Sequence, residues 1–418
     1  MFREVELPEK LLKDQVPYAG EEAVREIRRL AQGMKNLSVL HVNSTSYGGG
    51  VAELLYTIVP LTRDAGLDAK WYSMDNVPME FFEVTKKIHN SLQGAETPLT
   101  DNEWKLYEDV NMKLAEGFPP GPWDVVILHD PQPLATLAFL DNIPASQRPT
   151  VGRWFWRCHI DLSTPLQSTW QRLAFHVNRF DGAIFTSRKY AQEEVKIPVI
   201  EITPSIDPTS PKNAPIPDEE GRKLIASFGV DPQRPFMVQV SRFDPWKDPF
   251  GVVDAYSMLK AKRPNLQLAM VGSIAHDDPE GVELLRKLKE SAEHDHDIHV
   301  LSNEDGVGAP EVAAFQQLAD VIVQKSIREG FGLTITEAMW KMRPVVAGAA
   351  TGCKLQITDG VDGFIINSTQ ECSDRVDEIL ENPELTLRLG GAARETVRRK
   401  FLSTGHVANY LRLFAARK

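Results

Sequence analysis

The sequence predicts an α/β protein of two doubly wound, parallel-sheet (Rossmann-like) domains facing a cleft. Three observations carry this. Short apolar runs alternate with helical periodicity in both halves of the 418-residue chain. A stretch rich in proline and polar residues, Thr203-Pro204-Ser205-Ile206-Asp207-Pro208 to Pro217, interrupts that alternation near the middle and reads as a linker. The apolar runs end in glycine loops or charged clusters, and in open α/β sheets ligands bind beyond the carboxyl ends of strands.

Composition narrows the classes. Hydrophobic residues are 42% and charged residues 25%, as in ordinary globular domains. A net charge of -11 argues against nucleic acid or an anionic membrane as partner. Cys158, Cys353 and Cys372 lie far apart, without metal-ligand spacing, and fit a reducing compartment. Met1 to Gln32 is charged throughout, and no run reaches the roughly 18 apolar residues of a membrane span. A soluble, cytoplasmic protein is therefore expected.

In the first half, residues 21 to 35 have helical spacing and a charged face, and Leu37 to Val42 reads as the first core strand. It runs into Tyr47-Gly48-Gly49-Gly50, and a helix opens at Val51, with a kink expected at Pro60. Such a glycine loop serves equally as a tight turn or as a cradle of backbone N–H groups for a phosphate. Lys70 to Tyr72 is a second strand, and helices follow at Phe81 to Gln93 and Leu99 to Glu116. Trp123 to Leu128 is a strand ending in His129-Asp130-Pro131-Gln132-Pro133, and Gly152 to Arg157 is another, ending in Cys158-His159-Ile160-Asp161. His129 and His159 thus emerge at equivalent strand ends, each beside a carboxylate. That cluster suits either a polar ligand such as a sugar or a structural role, and no close-spaced pair marks a metal site. Strands at Phe180 to Phe185 and Val199 to Ile202 close this half.

The second half restarts with the strand Pro235 to Val240. It ends in Ser241-Arg242-Phe243-Asp244-Pro245-Trp246-Lys247, two cations five residues apart that suit a diphosphate or, more plainly, surface ion pairs. Leu266 to Val271 is a strand, followed by Gly272 and Ala275-His276-Asp277-Asp278. His294-Asp295-His296-Asp297 reads as a solvated turn before the strand Ile298 to Leu301. A helix at Glu311 to Leu318 leads to the strand Val321 to Val323 and the string Ser326-Ile327-Arg328-Glu329-Gly330-Phe331-Gly332-Leu333-Thr334-Ile335-Thr336-Glu337-Ala338-Met339. Thr334 and Thr336 lead into a helix start at Glu337-Ala338-Met339-Trp340. A helix N-terminus beside glycines suits a phosphate. Glu329 and Glu337 either take sugar hydroxyls or serve as a dipole partner and a solvated helix residue. Val345 to Ala347 is the next strand, and Pro383 to Ala416 is helical with breaks.

The whole string resembles the E-x7-E motif of retaining glycosyltransferases of the GT-B fold. Further stretches resemble the trehalose synthases of the glycosyltransferring type: His41-Val42-Asn43-Ser44-Thr45-Ser46-Tyr47-Gly48-Gly49-Gly50, His129 to Pro133, Trp156 to Ser163, Val240 to Lys247 and Lys354-Leu355-Gln356-Ile357. The resemblance implies transfer of glucose from a nucleotide diphosphoglucose (ADP-, UDP- or GDP-glucose) to glucose, giving α,α-trehalose. It implies catalytic roles for Arg242, Lys247, Glu329 and His159. It implies donor contacts from Gly48, Gly49, Gly50, Asn303, Gly330, Phe331, Gly332, Leu333, Thr334 and Glu337, and acceptor contacts from Asp130, Gln132 and Asp161. No cofactor is required and no metal ligand is assigned, although Mg2+ can accompany the nucleotide. The partners are small molecules, with a homodimer as one arrangement. The implied domains are 1–205, joined by a C-terminal helix at 400–418, and 206–399. The chain departs from the wider family where Thr351 replaces a glycine and Leu355 a glutamate. A trehalose phosphorylase of the same fold, or a silent nucleotide-sugar binding protein, are the competing readings.

Overall fold

The computed structural model describes residues 1–47, 49–274 and 279–416. The chain divides into two compact units, Met1–Ser205 with the chain from Ser403 onward, and Ile206–Leu402.

The first unit holds a seven-stranded sheet: β1 (Phe2–Glu4), β2 (Ser38–Asn43), β3 (Asp68–Met74), β4 (Trp123–His129), β5 (Val151–Cys158), β6 (Gly182–Phe185) and β7 (Val199–Glu201). The spatial order is β1-β3-β2-β4-β5-β6-β7, and all pairs are parallel except β1 with β3. Parallel strands covered on both faces need continuous apolar runs, which β2 and β4 provide. Val39, Ile58, Trp71, Val125 and Ile127 share one buried core with Val407 and Leu411 of the last helix, Ser403–Ala415. That apolar face ties the end of the chain to the first unit.

The second unit holds a six-stranded parallel sheet: β8 (Phe236–Arg242), β9 (Gln267–Ser273), β10 (Ile298–Leu301), β11 (Val321–Gln324), β12 (Val345–Gly348) and β13 (Phe364–Ile366). Its order is β10-β9-β8-β11-β12-β13.

Strand order fixes where ligands are taken. In the first sheet the chain steps from β2 to β3 on one side, then returns with β4 on the other. In the second it steps from β8 through β9 to β10, then returns with β11 beside β8. At such a switch point the loops leaving the two neighbouring strands diverge and open a crevice. The crevices therefore lie after β2 and β4, and after β8 and β11.

Several local expectations differ from the fold. The helix Leu12–Ala19 forms with Pro17 inside it, because Leu12 and Gln15 bury. The helix expected to start at Glu337 begins at Leu333, capped by Gly332 with φ +87°, so Glu337 sits in its middle. No helix among the described residues is long and apolar enough to cross a membrane.

Candidate active site

The second unit gathers most of the charged candidates at its switch point. β8 ends at Arg242, and a short 3-10 turn, Pro245–Lys247, follows. Asp244 starts that turn, accepting the Trp246 N–H at 3.0 Å. Arg242 Nη2 lies 3.4 Å from Asp244 Oδ2, and its side chain remains 49% exposed. Gln239 Nε2 donates to the Lys247 carbonyl at 2.9 Å. From the loop after β11, the Ile327 N–H donates to the Trp246 carbonyl at 2.8 Å, and Lys325 pairs with Asp248. These bonds tie the two diverging loops together. They place Lys247 Nζ 2.5 Å from Glu329 Oε2, with both side chains largely buried. Ser326 Oγ donates to the same oxygen at 3.3 Å.

The glycine loop is held from behind by Gln356, Thr336 and Gly352, to which the sequence pattern assigns no role. Gln356 Nε2 donates to the Phe331 carbonyl and, at 3.2 Å, to the Gly332 carbonyl, while the Thr336 hydroxyl donates to Gln356 Oε1. The Gly352 N–H donates to the Glu329 carbonyl at 3.0 Å. A Cβ on Gly352 would fall 2.5 Å from the Glu329 carbonyl oxygen and 2.7 Å from the Phe331 nitrogen. Gly352→Ala must therefore push the loop between Glu329 and Phe331. The expected result is a raised KM for the donor and a stability loss of about 1–3 kcal/mol. Steady-state kinetics and denaturant titration check it, and wild-type values in both would show that the loop yields freely.

Glu337 is fully buried, which excludes the solvated reading. Lys212 Nζ lies 2.7 Å from Oε1, and Gln316 Nε2 donates to Oε2 at 3.0 Å. Burial pushes this carboxyl up, but the charges of Lys212 and Lys341 outweigh it and hold the group below the usual carboxylate range. Lys212 belongs to the linker stretch, and nothing in its local sequence marks it. Phe331 is buried edge-on to Phe401. Leu333 and Thr334 form the first turn of the helix capped by Gly332, and Gly330 lies in the loop before it. Asn303 Oδ1 accepts the Ile274 N–H at 2.9 Å, joining the segments beyond β9 and β10. The tract His294–Asp297 is not simply solvated. Asp295 accepts from the Tyr256 hydroxyl, and Asp297 pairs with Arg234 and Lys260.

In the first unit, Gly48 lies outside the described residues, as does the 275–278 stretch of the second. Gly49 has φ +147°, in the region that favours glycine, and Gly50 opens the helix Gly50–Asp64. His129 does not emerge freely beside His159. It is 2% exposed and sits between two other imidazoles. His41 Nδ1 is 3.0 Å from His129 Nε2, and His129 Nδ1 is 3.0 Å from His159 Nε2. β2 and β4 are adjacent and in register, and that register makes the first contact. Only His159, at the end of the chain of rings, is partly exposed.

Asp130 occupies the left-handed region, φ +62°, where a non-glycine residue is strained. Its Oδ1 accepts the His159 N–H at 2.8 Å, so one oxygen positions the neighbouring strand end. Burial pushes the Asp130 carboxyl up to about 7, against the opposing effects of that hydrogen bond and of Arg157. Asp161 is buried, and its Oδ1 accepts both the N–H and the hydroxyl of Ser163. That oxygen shapes a local turn. Gln132 keeps its side-chain Oε1 buried without a hydrogen-bond partner.

Burial, with the Arg157 charge, holds the His41 imidazole down to about 3, and burial likewise holds His129, His159 and His406 well below 6.5. The folded state keeps them neutral while the unfolded chain takes up protons. Their contribution to stability is fully present above pH 6.5 and is lost as pH falls toward 3. The slope is on the order of 1.4 kcal/mol per pH unit for each histidine. Chemical denaturation between pH 7 and 5 should show this loss; a flat profile would mean the rings already carry protons in the fold.

Two doubly wound sheets in one chain, with cations and carboxylates at a switch point, define a GT-B glycosyltransferase. The fold matches trehalose-6-phosphate synthase OtsA at TM-score 0.73 and 13% identity, over 91% of this chain and 99% of that one. The family described as glycosyl transferases group 1 matches residues 221–396, and that described as trehalose synthase, N-terminal domain, matches residues 41–192. The trehalose synthase of Thermococcus litoralis is 45% identical over 97% of this chain and 96% of its own. That of Rubrobacter xylanophilus is 44% identical over 99% of both. The chain belongs to the trehalose synthase family of group 1 glycosyltransferases.

Proposed function

We propose that this enzyme transfers glucose from a nucleotide diphosphoglucose to free glucose, reversibly, giving α,α-trehalose with retained anomeric configuration. The observation that carries this is the Lys247–Glu329 pair at the switch point, with Arg242 beside it. Without ligand, the lysine and the carboxylate neutralise each other. An arriving diphosphate competes for Lys247 and frees Glu329 to accept hexose hydroxyls. In the reaction the bond from the sugar C1 to the diphosphate oxygen breaks, and a bond to the acceptor oxygen forms on the same face. The acceptor's hydroxyl proton passes to the departing diphosphate. Arg242 and Lys247 stabilise the charge that grows on that leaving group.

The second unit, Ile206–Leu402, is assigned to the nucleotide sugar, with Glu337 to the ribose, Asn303 near the base, and the backbone from Gly330 to Thr334 near the diphosphate. Gly48, Gly49 and Gly50 are assigned to donor binding. The first unit, 1–205 with the C-terminal helix, is assigned to the acceptor, with His159 beside the transferred hexose. Asp130 serves there chiefly by positioning His159, and Gln132 offers an unused buried acceptor oxygen. Among the described residues no group of three or more His, Cys, Asp or Glu is placed to hold a metal. Mg2+ that accompanies the nucleotide is part of the substrate.

Incubating the protein with glucose and each of ADP-, UDP- and GDP-glucose, and identifying the disaccharide by NMR, tests the reaction. Trehalose formed only from glucose 1-phosphate would establish the phosphorylase reading instead, and no turnover with any donor would establish a binding protein. Asp130→Ala tests the division of labour. It should damage glucose use while nucleotide binding, read by calorimetry, stays near wild type. Loss of nucleotide binding in a folded variant would sink the assignment.

A further inference from the structure

Beside the first turns of the helix Gly50–Asp64 lies a small cavity of about 10 Å³, walled on one side by Val51, Leu54, Leu55 and Ile58. Arg157, His406, Tyr410, His129 and His159 line the rest of it, so the cavity borders the imidazole chain that ends at His159. Arg157 is 0% exposed. Its Nη2 donates to the Ile202 carbonyl at 2.8 Å and its guanidinium lies over the Tyr410 ring, 5.7 Å from the centroid, while Nε and Nη1 are buried without a hydrogen-bond partner. His406 is 4% exposed, with Nδ1 2.9 Å from the Ser205 hydroxyl and Nε2 buried without a partner. The Ser205–His406 bond allows the tautomer in which Ser205 donates to Nδ1 and the His406 proton lies on Nε2. In that tautomer three unused donor nitrogens belong to two residues of one cavity, and one of those residues is a fixed cation.

A guanidinium does not lose its proton, and a buried charge without a counter-charge is costly. Among the described residues no carboxylate forms an ion pair with Arg157. Asp130, the acid nearest in effect, is held partly protonated at neutral pH because burial pushes its carboxyl up to about 7. The surrounding imidazoles are kept neutral by burial and by this same cation. The cluster therefore carries positive charge with too little negative charge to balance it.

We propose that this cavity binds a small monovalent inorganic anion of halide size, held by Arg157 and His406. The space takes one water-sized molecule or ion, far below the roughly 300 Å³ at which small-molecule pockets begin, so a sugar or nucleotide is the wrong size. A water molecule is a poorer occupant than a halide. It needs acceptors for its own two hydrogens; the aliphatic wall offers none, which leaves only the Tyr410 hydroxyl and the imidazoles to supply them. A halide only accepts, which matches a set of unused donors. The proposal rests on no reading of the catalysed reaction.

Bromide is the probe. Crystals of the full chain soaked in sodium bromide should show an anomalous peak in contact with Arg157 and His406. The melting temperature should rise by about 2–4 °C in sodium bromide over sodium gluconate at equal ionic strength. That rise should vanish in His406→Phe, which keeps a ring to stack on Tyr410 and serves where Arg157→Met fails to fold. No anomalous density at the cavity under saturating bromide would overturn the proposal. So would an equal bromide effect in wild type and His406→Phe.

Discussion

Lys247→Ala is expected to lower kcat by about 10²-fold or more, with a smaller effect on donor KM. Charge grows on the departing diphosphate as the sugar bond breaks, so a cation there acts more strongly in the transition state than in the ground state. The side chain is well placed for this. Its carbonyl is held by Gln239, the neighbouring Trp246 is bonded to the loop after β11, and Nζ sits 2.5 Å from Glu329. Lys247→Arg should recover only part of the rate, because a planar fork on the same stem does not reproduce a point charge. Steady-state kinetics with saturating glucose is the measurement. Wild-type kcat in the alanine variant would remove Lys247 from the reaction.

Glu337→Ala should cost about 3–5 kcal/mol of stability, because it leaves Lys212 without its counter-charge in a buried setting. Replacing both residues, Glu337→Met with Lys212→Met, should restore much of the loss, since an apolar pair leaves no uncompensated ion. Denaturant titration of the three variants separates these outcomes, and an unaltered midpoint in Glu337→Ala would show that the pair contributes nothing. Glu337→Gln removes the charge but keeps the shape. It should weaken binding of the free nucleoside diphosphate while leaving kcat near wild type, because ribose contacts are alike in ground and transition states. Calorimetry that finds full affinity in Glu337→Gln would leave the residue a purely structural role.

Most of the strands were legible because their signals are local, whereas helices such as Gln167–Val177, Pro249–Lys260 and Thr369–Glu381 were not read from the sequence. Apolar runs at β2, β4, β8 and β11 read directly as buried strands, and the cations Arg242 and Lys247 lie five residues apart. β1 and the helix Leu12–Ala19 were not legible. One is three residues long with two charges, and the other carries a proline that only burial of Leu12 outweighs. Gln356 and Gly352 stood in a stretch that reads as a departure from the wider family. Their roles, clamping the Phe331 and Gly332 carbonyls and admitting the Glu329 backbone, depend on a neighbour more than 20 residues away.

By itself the sequence determined the alternation of strand and helix, the division into two halves and the residue types at each strand end. These follow from side-chain period and from φ, which are properties of a few successive residues. Only the tertiary structure decided which strand ends are neighbours. Lys247 meets Glu329 across 82 positions, and His41 meets His129 across 88, because β8 lies beside β11 and β2 beside β4. It likewise decided that a linker lysine neutralises Glu337, and that Arg157 is buried with two nitrogens unused. Such pairings carry no period in the chain. They are set by which apolar faces bury together, and the charges follow where the backbone takes them.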